Sequence, residues 1–237
     1  MTIRYFKFVM KTMITGNNEK KIRPPAVASM FYPGDTAELK GVVQKYLNNA
    51  GLEENVSYLK TKTIGELRIL IVPHAGYIYS GKIAACAYHF LQENQKRFKH
   101  VLLLGPAHRV WLDGAAFPDA DAFETPLGEI ALDKELKEKI LEEFSWISVS
   151  DVAHAEEHCL EVQLPFLQET LNEFKILPLV VGETETELLA SLIKLFCKDH
   201  ETLIVISTDL SHFHDYQTAR EIDARTANAI ELLEPNR

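Results

Sequence analysis

Three short apolar runs, Ile69-Leu-Ile-Val72, Val101-Leu-Leu-Leu104 and Leu203-Ile-Val-Ile206, are each followed within a few residues by a histidine: His74, His108 and His212. Runs this short, continuous rather than alternating, read as strands covered on both faces, the signature of a parallel sheet inside an α/β protein. Crossover connections keep such strands pointing one way, so the residues after each run gather at one sheet edge, where open α/β sheets hold their ligands. Three imidazoles delivered to one edge point to a metal.

The stretches between the runs support that architecture. Helical periodicity is read over 35–50, 80–93, 133–143, 156–171, 183–196 and 217–233, and further strands over 114–117, 128–132, 146–149 and 175–181. Strands separated by helices of 10 to 15 residues build βαβ units. The expected fold is a single-domain, three-layer α/β/α structure with a mainly parallel or mixed central sheet over residues 22–237. Residues 1–21 carry Arg4, Lys7, Lys11, Lys20 and Lys21 against Glu19 alone, with Gly16-Asn-Asn18 as a break, and are expected to be a disordered N-terminal extension.

Charge and cysteine usage exclude some partners. A net charge of −9 leaves no broad basic footprint, so neither nucleic acid nor an anionic membrane is expected as a partner. Cys86, Cys159 and Cys197 are odd in number and lack C-x-x-C spacing, a reduced usage that predicts a cytoplasmic protein. No apolar stretch approaches the roughly 18 residues that span a bilayer.

Two nucleophile or phosphate motifs fail at the residues that matter. Gly76-Tyr-Ile-Tyr-Ser-Gly81-Lys82 has P-loop spacing, but Ile83 stands where a hydroxyl must hold magnesium, and the loop residues are bulky. What remains is a weaker expectation that an anion docks near Gly81 at a helix start. The G-x-S-x-G elbow is absent, which argues against a serine hydrolase.

Six of the nine histidines divide into two groups. His89, His100 and His200 have no clustered partner and read as core or solvated residues. His74, His108 and His212 share the predicted edge. Neutral imidazole suits zinc, copper and iron, and an anionic ligand is expected from Asp209, Glu157 or Glu161. His158 and Glu161, spaced i, i+3 on the helix expected over 156–171, are read as an acid/base and its orienting carboxylate.

At these positions the chain resembles the Memo family, called AmmeMemoRadiSam system protein B in prokaryotes. The matching stretches are Arg23-Pro-Pro-Ala-Val-Ala-Ser-Met-Phe-Tyr-Pro33, Pro73-His-Ala-Gly-Tyr-Ile-Tyr-Ser-Gly81, Gly105-Pro-Ala-His108, Glu157-His-Cys-Leu-Glu-Val-Gln-Leu-Pro-Phe166 and Ser207-Thr-Asp-Leu-Ser-His212. The resemblance implies a LigB-like fold, that of the class III extradiol dioxygenases with their non-haem iron. It also implies His74 and His108 as metal ligands, with His212, His158 and Asp209 as catalytic pocket groups. The family's third ligand is a cysteine in a Cys-Gly motif beyond the last helix; none of the three cysteines occupies that position, so a chain truncated at its C-terminus is expected.

The leading expectation is a redox protein using Fe(II), with copper second and zinc third, acting on an unknown small-molecule or peptide ligand, and associated functionally with a radical-SAM protein. Two alternatives stand beside it: a non-catalytic module whose histidine-lined pocket grips an anionic peptide or small acid, and a zinc hydrolase.

Overall fold

A computed structural model describes residues 20–53, 56, 66–196 and 198–233. The central sheet has six strands: β2 (Ile69–Val72), β3 (His100–Pro106), β4 (Ala115–Phe117), β7 (Ile147–Val149), β8 (Lys175–Val181) and β9 (Thr202–Ser207), in the order β2-β9-β3-β8-β4-β7. The first four in that order run parallel, while β4 meets β8 antiparallel and pairs with β7 in parallel. A second sheet joins β1 (Ile22–Arg23), β5 (Ala122–Thr125) and β6 (Gly128–Ala131).

Side chains leave a strand alternately to either face, and β3 shows how this makes three layers. Val101 and Leu103 enter one core with α1 (Thr36–Ala50), α2 (Tyr77–Tyr88) and α5 (Leu164–Thr170). Leu102 and Leu104 enter the other, with Ile140 of α3 (Lys134–Glu143) and Leu192 and Phe196 of α6 (Thr186–Phe196). All four strand residues are buried, which is why the run is continuous rather than alternating. The chain thus has the expected mixed α/β, three-layer fold with a mainly parallel sheet.

Helix starts follow the expected capping chemistry. The Asp35 and Asp133 carboxylates accept hydrogen bonds from the backbone of Glu38 and Leu136, occupying donors that the first turns leave free. The last helix, α7 (Tyr216–Leu232), is capped by Asp215 but buries none of its residues.

Three expectations need correction. Residues 156–160 are not helical: a short helix, α4 (Asp151–Ala155), ends before them, a 3-10 turn spans Glu161–Gln163, and α5 begins at Leu164. The Glu157 carboxylate folds back to accept from the backbone of His158 and Cys159, which holds this stretch as a turn. Gly81 does not open a helix. It lies inside α2, where an added Cβ would stand 2.8 Å from the Tyr46 ring, so its backbone is closed to an anion. Strand β5 is an addition to the expected strands, because four residues with one exposed Glu124 carry too little periodicity to read. The extension expected over 1–21 falls, for 1–19, outside the described residues, while Lys20 and Lys21 pair with Glu129 and with Asp119 and Asp151.

Candidate metal centre

Strands β2, β9 and β3 lie side by side in a register that pairs Val72 with Ser207 and Leu104 with Ile206. Their carboxyl ends therefore stop at one level. The segments after them deliver His74, Asp209 and His108 to the same edge, as the sequence predicts.

The two strand-end histidines meet a third from the 157–163 turn. Ring centroids lie 5.1 Å apart for His74 and His108, 4.6 Å for His108 and His158, and 5.5 Å for His74 and His158. One ligand atom from each falls within 4.8 Å of the others. Three imidazole nitrogens held tetrahedrally on one ion at about 2.1 Å lie about 3.4 Å apart, so the rings must draw in by up to about 1.4 Å to close the set. The turn approaches so closely because β3 has a glycine there: a Cβ on Gly105 would sit 2.6 Å from Cys159 Sγ and 2.7 Å from Leu160 Cδ2.

Glu157 organises this group. It is 2% exposed, and its carboxylate accepts from the His108 backbone at 2.7 Å and from the His108 ring Nδ1 at 2.9 Å. Burial alone would raise its pKa, but the backbone donors of His108 and Cys159, reinforced by the His108 ring, hold the carboxyl down at about 2. A carboxylate only accepts, so His108 Nδ1 carries a proton, which makes Nε2 the nitrogen open to a metal, the arrangement metal-binding histidines adopt.

His158 and His74 are kept neutral by burial. His158 is pushed down to about 4 by desolvation, against the upward pull of Glu157, with the neighbouring His108, His74 and Arg109 adding to the depression. His74 is lowered by burial too, partly offset by Asp209. Neutral imidazole is the form that ligates a metal. His158 Nδ1 is buried and, among the described residues, has no hydrogen-bond partner; Glu157 Oε1 stands 3.3 Å away without hydrogen-bond geometry. Buried polar atoms are rarely left unpaired, and an orphaned nitrogen beside two other imidazoles fits a metal.

The other residues singled out from the sequence separate. Asp209 Oδ1 accepts from the His74 backbone at 2.8 Å, and Oδ2 stands 3.8 Å from His74 Nε2 and 3.6 Å from His212 Nε2. The His212 side chain is 55% exposed, so it lies at the rim rather than among the three imidazoles.

Glu161 does not orient His158. Fully buried, it accepts from Arg23, the backbone of Ala26 and Val27, and Tyr32. It thereby pins the opening segment, whose Phe31 packs on His158 at 4.8 Å. The i, i+3 reading fails because no helix exists there. His89, His100 and His200 sit apart, bonded to Leu47, Asp133 and Glu66 respectively.

Ser207 and Gln163 escape sequence reasoning. Ser207 Oγ lies 3.1 Å from His74 Nδ1, and Gln163 Nε2 lies 2.8 Å from Ser207 Oγ. The available signal is a lone amide inside Leu160-Glu-Val-Gln-Leu-Pro-Phe166, since a buried polar residue must find a partner.

Comparison with known proteins finds relatives along most of the chain. A family model described as "Memo-like protein" matches residues 23–237. A MEMO1 family protein of Aquifex aeolicus is 40% identical over 217 residues, covering 90% of this chain and 76% of the relative. MEMO1 family proteins of Methanobrevibacter smithii and Saccharolobus solfataricus are 34% and 33% identical over 221 and 223 residues, each covering 90% of this chain and 77% of the relative.

Proposed function

Since the chain belongs to the Memo family, we propose that it is a metal-binding redox protein whose centre is held by His74 and His108, with His158 as third ligand. The observation that carries this reading is the convergence of three imidazoles within 4.8 Å, two of them kept neutral by burial. Fe(II) is the first candidate, Cu the second and Zn the third, because imidazole serves all three. Such an ion supplies a Lewis-acid position for O₂ or a substrate oxygen.

The chain's own groups divide the remaining work. Glu157 sets the proton of His108, and Phe31 covers one face of His158. Asp209 and the exposed His212, 3.6 Å apart at the rim, are placed to hold and pass a proton to an incoming ligand. Extradiol-type oxidation of an unknown small molecule is the finer proposal, and it rests on fold likeness. The cytoplasmic location is proposed from the cysteine usage, and the association with a radical-SAM protein from the family resemblance.

A metal-free pocket gripping an anion is less well supported, because His74 and His158, kept neutral by burial, bring no positive charge to the centre. A zinc hydrolase shares the three-histidine set and is separated by metal preference.

Anaerobic titration with Fe(II), Cu(I) and Zn(II), followed by elemental analysis, tests the reading. One equivalent is expected in the wild type, with loss in His74→Ala and in His108→Ala. No binding of any of the three metals contradicts it, and strong preference for zinc together with ester cleavage turns it towards the hydrolase.

A further inference from the structure

A histidine ligates through one nitrogen only if its proton sits on the other, and the position of that proton on His74 follows from bonds reaching two residues behind it. Ser207 Oγ lies 2.6 Å from the Cys159 carbonyl, which can only accept, so the single hydroxyl proton of Ser207 is committed there. Gln163 Nε2 approaches the same oxygen at 2.8 Å and also donates to the Pro73 carbonyl at 2.9 Å. Its Oε1 accepts from the Tyr88 hydroxyl at 3.0 Å. Reversing the amide would set Oε1 against the Pro73 carbonyl, acceptor against acceptor, so the orientation of Gln163 is fixed.

With its proton given away and one lone pair taken by Gln163, Ser207 Oγ has one lone pair left, and His74 Nδ1 stands 3.1 Å from it. Only a protonated Nδ1 completes this arrangement. His74 then has Nε2 as its ligating nitrogen, and the bond from His108 Nδ1 to Glu157 selects Nε2 in the same way on the other side. Tyr88, Gln163, Ser207 and His74 are all at most 2% exposed, so an unmade bond among them is costly.

We propose that the 157–163 turn is a tautomer clamp: Glu157 sets the proton of His108, and Gln163, through Ser207, sets that of His74, so that both rings offer Nε2 to one point. Ser207 and Gln163 are thus positioning residues. The value of the clamp to metal binding rests on the function proposed above, but the tautomer itself is a property of the metal-free chain.

The test is a long-range ¹H–¹⁵N spectrum of the metal-free, histidine-labelled chain at neutral pH, with a parallel Zn(II) affinity measurement by chelator competition. In the wild type, His74 is expected to show a pyrrole-type Nδ1 and a pyridine-type Nε2. Ser207→Ala should move both His74 nitrogens towards averaged positions and weaken Zn(II) about 10- to 100-fold, the usual effect of losing a partner behind a ligand. Ser207→Thr, which keeps the hydroxyl, should restore both readouts.

An Nε2-protonated His74 in the wild type overturns the clamp, and that spectrum decides even if Ser207→Ala fails to fold. An unchanged His74 signal in a folded Ser207→Ala chain overturns it too. The expected tautomer in a wild type that binds no Zn(II) upholds the clamp and counts against the metal reading instead.

Discussion

The two edges of the central sheet handle their polar residues in opposite ways. At the carboxyl edge, His74, Ser207, Glu157 and Gln163 are each at most 2% exposed and interlocked by hydrogen bonds that reach from the 157–163 turn to β3 and β9. At the amino edge, Glu66 pairs with Arg68, Arg97 and His200, and Lys99 with Glu201, with the acidic side chains more than half exposed. Bonds of the first kind are strong because water cannot replace them; those of the second kind exchange freely with solvent. The difference separates an edge built to hold a shape from one built to stay solvated.

The sharpest way to break this contrast is at Glu161, which anchors the turn. Glu161→Ala leaves the Arg23 guanidinium, in a residue only 7% exposed, without its carboxylate. Removing one partner of a buried pair costs about 3–5 kcal/mol, so the urea midpoint should fall steeply at unchanged slope. A small shift would mean that the opening segment is not held by this residue.

Next is Glu157→Gln, which removes the negative charge behind His108 and puts an amide donor where one of two accepting oxygens stood. Metal affinity is expected to fall by about 10- to 100-fold, read by the same competition assay used for Ser207. Retention of full affinity would show that His108 needs no carboxylate to present Nε2.

Acidification comes third. His158 and His154 both have pKa values pushed down to about 4 in the fold, against roughly 6.5 in the unfolded chain. In that window the unfolded state binds more protons, so stability is complete above about pH 6.5 and declines as pH falls towards 4. Each histidine contributes on the order of 1 kcal/mol or more across the window. Glu157, held at about 2, loses its contribution only below about pH 4.5, which keeps the upper part of the window free of it. A melting temperature flat from pH 7 to 5 would contradict the burial of these rings.

The smallest effect is expected at the amino edge. Glu66→Ala removes three ion-pair contacts at once, yet the Glu66 carboxylate is itself more than half exposed, and the unfolding midpoint should stay within experimental scatter. A loss like that of Glu161→Ala would abolish the distinction between the edges.

The carboxyl edge is legible in the sequence as far as its strands reach. Continuous runs such as Val101 to Leu104 have only one economical placement, and chain direction then puts His74, His108 and Asp209 together. The turn is not legible. Residues 156–171 have helical spacing, but Glu157 spends its carboxylate on the backbone of His108, His158 and Cys159 and on the His108 ring, and Glu161 finds Arg23 across 138 residues. Long-range hydrogen bonds leave no periodic trace. For the same reason the sequence presents His158 as a separate acid/base partnered by Glu161 rather than as the third imidazole of the group, marks Gln163 only as a lone amide in an apolar stretch, and assigns no role to Ser207.

X-ray absorption of the iron-loaded chain tests the centre most directly, because backscattering from the imidazole ring counts histidine ligands without reference to activity. Three imidazoles are expected in the wild type, falling to two in His158→Ala. An all-oxygen shell, or a wild-type count that His158→Ala leaves unchanged, would contradict the assignment of His74, His108 and His158 to one metal.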